Sequence, residues 1–292
     1  MPSIFASLPG GRLFTRRKFL FAATVASAGA WLKEPAGLAG ARMGSRGSPI
    51  RPDKRIELFN GKDFSGLYGW LKDTHYQDPR KVFTIQNGMI LISGEVNGYL
   101  ATEKEYRDYQ LVVEFKWGEK TYGSKTVRNS GLLLHAVGPD GNRSPWMSAI
   151  EVQVAQGCVG DFIVIRGKDE SGAPVPVTLT SDTVMDRDGR TRWKKGGTPT
   201  TYSGKQFWWS KHDPDFEELI DTRGRMDVES PLGEWTRVEC ICSGKRITVI
   251  VNGVTVNECY DVFPSAGKIL LESEGFEILF RKFELVPLQA AR

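Results

Sequence analysis

The residues best equipped for chemistry lie between Asn129 and Val154. A run Asn129-Ser130-Gly131-Leu132-Leu133-Leu134-His135 leads into the turn-rich Gly138-Pro139-Asp140-Gly141-Asn142. A second run, Ile150-Glu151-Val152-Gln153-Val154, follows Trp146. Two strand-like segments around a turn predict an antiparallel pair. Side chains alternate along a strand, so Glu151 and Gln153 share one face while Ile150, Val152 and Val154 share the other. Burying polar groups without partners is costly, so this ordered polar face should be turned toward water or a ligand. His135, one of three histidines, falls on the neighbouring strand. An imidazole with an ordinary pKa of about 6.5 suits proton transfer. Glu151 and His135 are therefore the candidate catalytic pair, and Gln153 the candidate for orienting a hydroxyl. A solvated strand carboxylate and a structural histidine are the competing readings of the same residues.

Such groups need a rigid frame, and almost every periodic segment of the chain has period two. Val82–Ile85 and Met89–Ile92 flank Asn87-Gly88, and Arg246–Asn252 meets Val254–Val256 at Asn252-Gly253; both read as tight hairpins. From Tyr109 to Trp117, Leu111, Val113, Phe115 and Trp117 fall on one face and Val112, Glu114 and Lys116 on the other. Trp235–Cys242, Lys268–Glu272 and Phe276–Val286 are further strands. No long amphipathic helix is evident; Phe216–Asp221 is the nearest candidate. Strands at near-regular spacing predict an all-β sandwich or barrel. Residues 168–230 break the rhythm. They are polar, rich in Gly and Pro, and contain Trp193, Trp208, Trp209 and His212. We read them as a long loop excursion over one end of the sandwich, in the manner of a lid.

The N-terminus carries Arg16-Arg17-Lys18-Phe19-Leu20 ahead of a short, Ala-rich apolar run ending near Leu32. This order predicts a twin-arginine export signal in residues 1–41, with cleavage after Ala28 or Ala41. The run is shorter than the roughly 20 residues needed to span a bilayer. Residues 42–54 read as a flexible linker, and 55–292 as the folded domain. The expected location is the periplasm or cell envelope, with no membrane span in the mature chain. A net charge of +4 and the lack of a basic stripe with interleaved aromatics argue against nucleic acid. The four cysteines show no paired C-x-x-C spacing, which argues against zinc. Cys240 and Cys242 point the same way, and all four are best read as buried thiols; a bridge from either to Cys259 is the alternative.

The order of short motifs resembles a known family. It includes Leu58-Phe59-Asn60-Gly61 with Trp70, Phe83–Gly88, Gly98-Tyr99-Leu100-Ala101-Thr102, Tyr106–Leu111 and Glu114-Phe115-Lys116. Asn129-Ser130-Gly131, Glu151-Val152-Gln153, Gly233-Glu234-Trp235, Val251-Asn252-Gly253 and Phe280-Arg281 follow. The sequence is similar to the 3-keto-disaccharide hydrolase domain family over about residues 56–286. The resemblance implies an antiparallel two-sheet jelly-roll sandwich of the concanavalin A-like kind. It also implies cleavage of sugars oxidised at C3, with a sugar 3-dehydrogenase supplying the ketone. A ketone at C3 acidifies the C2 hydrogen; its removal gives an enolate that can expel the C1 substituent, and water can add back. This route requires a base near C2, a donor or cation near the C3 oxygen and an acid for the leaving group.

Further candidates follow from face and type. Glu114 and Lys116 share a strand face that could contact substrate or form a cross-strand ion pair. Trp70 and Trp146 could stack on a sugar ring. Arg281 could clamp an oxygen or pair with Glu272 or Glu274. Trp235 is expected in the core, and Trp208 and Trp209 could offer a platform from the excursion. No residue is assigned to a metal. A divalent cation held by Glu151, His135 and Glu272 is the one cofactor these residues could support, without spacing of the H-E-x-x-H kind. The rival function is a carbohydrate-binding module, because a binder needs only aromatics and neutral donors where an enzyme needs a titratable group.

Overall fold

Period-two alternation becomes paired strands along nearly the whole domain. The computed structural model describes residues 47–123, 127–142, 145–204 and 206–289; the expected export signal lies outside the described residues. In chain order the strands are β1 (Ile56–Glu57), β2 (Leu67–Leu71), β3 (Phe83–Gln86), β4 (Met89–Ile92), β5 (Gly98–Thr102), β6 (Tyr109–Thr121) and β7 (Asn129–Val137). Next come β8 (Ser148–Ala155), β9 (Phe162–Ile165), β10 (Gly167–Lys168), β11 (Pro174–Val175), β12 (Thr178–Met185), β13 (Thr191–Trp193) and β14 (Thr198–Tyr202). The last are β15 (Gln206–Phe207), β16 (Thr236–Ser243), β17 (Arg246–Val251), β18 (Val254–Phe263), β19 (Lys268–Ser273) and β20 (Phe276–Pro287). No helix forms among the described residues.

Two large antiparallel sheets result, as the all-β reading expects, with β10 and β11 forming a separate two-stranded pair. The seven-stranded sheet runs β15-β9-β8-β7-β19-β5-β2. The eleven-stranded sheet follows β13-β12-β18-β17-β16-β6-β20-β4-β3, with β1 beside β20 and β14 beside β12. Leu111, Val113, Phe115 and Trp117 of β6 share one buried cluster with Leu132 and Leu134 of β7 and Ile150, Val152 and Val154 of β8. This is the core between the sheets. Both Asn-Gly hairpins form: φ is 51° and 73° at Asn87-Gly88 and 47° and 82° at Asn252-Gly253. Two successive positive φ values match the twist of the flanking strands, which is why Asn-Gly is favoured there. The four cysteines are buried and free.

Two segments differ from the sequence reading. Residues 168–230 are not an irregular lid: β12, β13 and β14 extend the eleven-stranded sheet, and β15 adds an edge to the seven-stranded one. The excursion is stitched down by Asp161, which accepts the Trp209 backbone N–H at 2.6 Å. Trp209 is fully buried, and Trp208 stacks on His212 at 4.2 Å and lies under Arg190 at 4.5 Å. Neither indole offers an open platform, because polar residues around them mask an apolar anchor that local periodicity does not reveal. The segment read as a linker is also partly docked. Ile50 N–H donates to Glu105 O at 2.9 Å, and Arg107 N–H donates to Ile50 O at 3.0 Å.

The seven-stranded sheet has a second apolar layer on its outer face. Trp70, Tyr99, Leu133, Met147, Ala149 and Leu270 form a buried cluster there, separate from the main core. This sheet is thus covered on both sides over much of its area, and the uncovered part defines the candidate site.

Candidate functional site

Glu151 lies on β8 between two outer-face neighbours, Leu133 of β7 and Ile163 of β9. It is only 6% exposed. Glu272 of β19, 1% exposed, lies beside it. The two carboxylates meet above Gly131 of β7. A side-chain carbon placed on Gly131 would lie 2.4 Å from Glu272 Oε2 and 2.8 Å from Glu151 Oε1. Glycine is required here by space, since two carboxylates fill the volume that any other side chain would occupy. Gln153 is opposite Gly131 in register. Its amide, oriented with nitrogen toward the acceptors, donates to Glu151 Oε1 at 2.7 Å and to Ser130 O at 2.9 Å. Asn129 donates to Glu274 at 2.6 Å and continues the polar row.

Beside this row is a cavity of about 260 Å³ lined by Trp146, Glu151, Ile163, Val164, Ile165, Arg166 and Gly204. It combines an indole, aliphatic walls, one carboxylate and one guanidinium. A side chain at Gly204 would strike Arg166 Nε, at 2.6 Å, so this glycine lets the guanidinium pass. Glu151, Gln153 and Trp146 are therefore brought together.

His135 is not part of this group. The pairing of β7 with β8 shifts between Leu134 and Val137, and His135 has φ of 53°. This bulge breaks the alternation that would have put His135 on the Glu151 face. The ring instead points between the sheets, edge-on to Tyr109 of β6 at 5.8 Å, with Nδ1 donating to Pro264 O at 3.1 Å. Burial holds its pKa down at about 4, so the imidazole is neutral. The Glu151, His135, Glu272 cation set therefore does not assemble. Among the described residues, no group of three His, Cys, Asp or Glu side chains is placed to hold a metal.

Glu114, Lys116 and Arg281 lie on the outer face of the opposite sheet. Glu114 pairs with Arg281 at 2.6 Å and Arg237 at 3.1 Å, the cross-strand alternative of the sequence reading. Lys116 and Arg281 lie over the ring of Trp235, at 5.2 and 4.4 Å, so Trp235 is half-buried under cations instead of in the core. Trp70 is on the correct face but covered: Tyr99 stacks on it at 5.7 Å and His75 at 5.3 Å, leaving it 7% exposed.

The chain matches the family model described as the 3-keto-alpha-glucoside-1,2-lyase-like domain over residues 54–286. It belongs to this family. Among solved structures it is similar to a protein of Parabacteroides distasonis ATCC 8503 whose description as a glycosyl hydrolase is provisional. Identity is 16%, with 81% of this chain and 94% of that chain covered and a TM-score of 0.48. Similarity extends to a Bacillus licheniformis beta-glucanase, with 10% identity, 81% and 99% coverage and a TM-score of 0.41. A carbohydrate-binding module of Bacillus subtilis matches with 10% identity, 75% and 94% coverage and a TM-score of 0.40. No curated protein sequence matches the chain.

In this member of the family, three features escaped sequence reasoning. Arg166 follows a strand and carried no motif. Glu272 enters the sequence reading as a cation ligand or a partner of Arg281, not as a neighbour of Glu151, although Lys268, Leu270 and Glu272 alternate on one face of β19. Gly131 had the clearest signal, since a glycine inside an apolar strand marks a close approach.

Proposed function

We propose that the protein is exported by the twin-arginine route and cleaves 3-keto-glycosides on the outer face of the seven-stranded sheet. The observation that carries this reading is the meeting of Glu151, Gln153 and Glu272 over Gly131, beside a cavity with Trp146 and Arg166. The sugar ring lies against Trp146, whose indole suits the apolar face of a pyranose. Glu151 takes the C2 proton as general base. Arg166, exposed at the cavity wall, stabilises the charge that develops on the C3 oxygen, as a cation aimed at developing charge does. The enolate electrons then form the C1–C2 double bond as the C1–O bond breaks, and the departing oxygen takes a proton from water. The hydroxide left by that water adds to C1 while the Glu151 carboxyl returns its proton to C2, which restores the carboxylate and completes a net hydrolysis. Gln153 holds the Glu151 carboxylate in place, and Glu272 acts on it through charge at short range. An oxidoreductase acting earlier must supply the ketone.

The test is incubation of the purified protein with an aryl 3-keto-glucoside and with the matching unoxidised glucoside. Release of aglycone from the first alone is expected, with loss of about 10²–10⁴ in rate for Glu151→Gln, the usual worth of a general base. Sugar binding without turnover of either compound would instead identify a carbohydrate-binding module, for which Trp146 and the neutral amide of Gln153 would suffice.

A further inference from the structure

The outer face of the seven-stranded sheet holds the cavity at β8 and β9 but is closed over β5 and β2, and one side chain anchors the loop that closes it. Asp140 lies in the loop joining β7 to β8, the strands that carry Gly131 and Glu151. Three tyrosine hydroxyls from separate segments donate to it: Tyr68 of β2 at 2.8 Å, Tyr76 of the turn after β2 at 2.9 Å and Tyr99 of β5 at 2.7 Å. The Tyr99 hydroxyl also accepts the Gly141 N–H at 3.2 Å. Lys268 Nζ donates to the Tyr68 hydroxyl at 2.8 Å, placing a cation behind the cluster.

The loop is held at both flanks. Asn142 exchanges two hydrogen bonds with the Lys168 backbone, the Lys168 N–H donating at 2.8 Å. Gly141, with φ of 67°, lies so close to the Trp70 ring that a side chain there would be 2.1 Å from it. Trp70 and Tyr99 are buried under this strap, 7% and 0% exposed. Burial raises the hydroxyl pKa of Tyr76 to about 12, with the Asp140 bond adding to it, so the donors stay protonated. A carboxylate accepting three hydroxyl donors is a strong anchor, since bonds to an ionised acceptor are about twice as strong as neutral ones.

Resting on the reading of the site given above, we infer that Asp140 is a specificity-determining positioning residue. By clamping the Gly138–Asn142 strap across the β5–β2 half of the face, it makes the site blind at one end. The site then takes a terminal 3-keto sugar unit and rejects an internal unit of a chain. The remaining cavity, about 260 Å³, is smaller than the roughly 300–1,000 Å³ of pockets for drug-sized ligands. It suits one pyranose ring. An internal unit would need to continue in both directions, and one direction is filled by Trp70, Tyr99 and the strap.

The experiment compares oligosaccharides carrying the 3-keto unit at the non-reducing end or inside the chain. The wild-type protein is expected to favour the terminal unit by about 100-fold or more in kcat/KM. In Asp140→Ala the internal substrate should improve at least about tenfold through KM, with kcat on a small aryl 3-keto-glucoside changed less than about threefold. Asp140→Asn keeps an Oδ1 acceptor for Tyr68 and Tyr99 and should remain near wild type. Equal wild-type use of internal and terminal units, or an equal loss on all substrates in Asp140→Ala, would overturn the inference. If no 3-keto substrate is turned over at all, the functional reading fails, and the clamp is judged separately. Hydrogen exchange should then show residues 138–142 protected in the wild type and at least about tenfold faster in Asp140→Ala, with glucose bound in preference to a long glucan. An unprotected wild-type strap, or equal binding of both sugars, would refute it.

Discussion

Glu114 and Glu151 occupy the same sequence pattern, a carboxylate between apolar residues on a strand, yet the two sheets use them in opposite ways. Glu114, on the outer face of the eleven-stranded sheet, sits among cations: Arg281, Arg237 and, at 3.8 Å, Lys282. Burial pushes its carboxyl up, but the hydrogen bonds from Arg281 and Arg237 outweigh this and hold it below the ordinary value. Glu151, on the outer face of the seven-stranded sheet, sits against a second carboxylate and an amide beside a cavity. One environment neutralises its carboxylate at the surface; the other gathers acidic groups where a ligand can enter. Neighbours across the sheet, more than the local sequence, decide whether a strand carboxylate is paired with cations or set beside a cavity.

The comparison breaks most directly by exchanging charge for shape at each glutamate. Glu151→Gln should abolish aglycone release by about 10²–10⁴ while leaving the melting temperature within a few degrees. Glu114→Gln should leave turnover within about twofold and cost at most about 1 kcal/mol, because its partners are solvent-screened. The Glu114 pKa is lowered in the folded protein, so its contribution is present above the unfolded-state value and lost as pH falls through the folded one. The melting difference between Glu114→Gln and the wild type should therefore narrow as pH falls below the ordinary glutamate value and close below the lowered folded one. A large loss of turnover in Glu114→Gln would reverse the assignment of the two faces.

Gly131→Ala tests the carboxylate pair without touching either charge. Its added carbon would push Glu151 and Glu272 apart, so we expect turnover to fall at least about tenfold and stability by about 1–3 kcal/mol, read by kinetics and denaturant melts. His135→Gln probes the inward-facing ring. The folded pKa of about 4 lies below the ordinary value, so the wild type loses stability as pH drops from about 6.5 toward 4. His135→Gln should lack that dependence, and the pH profile of kcat/KM should be the same in both proteins. A moved acid limb would return His135 to the reaction. Trp235→Ala, which removes two cation–π contacts on the opposite sheet, should cost about 1 kcal/mol in a melting curve and leave turnover unchanged.

Much of the frame was legible in the sequence. The faces of Tyr109–Trp117 and Ile150–Val154 followed from period two, and both Asn-Gly turns followed from the positive φ that Asn and Gly tolerate. These are local properties, fixed within a few residues. The face shared by Glu151 and Gln153 was legible for the same reason. His135 was misplaced because a bulge costs one residue of register and leaves no clear mark in composition. Residues 168–230 were misread because their strands are short and held by distant anchors such as Asp161. Arg281 stayed open between two roles, and Trp235 was misplaced in the core, because their partners lie on other strands.

Local sequence dictates that this chain builds antiparallel strands, where its hairpins turn, and which side chains of each strand share a face. Those outcomes depend on backbone geometry and near neighbours. Only the tertiary structure decided that Glu272 meets Glu151 over Gly131, that His135 turns inward, and that Asp140 gathers three tyrosines into a clamp. Each of these joins residues from different strands or loops, and sheet order and register, not spacing along the chain, set those distances.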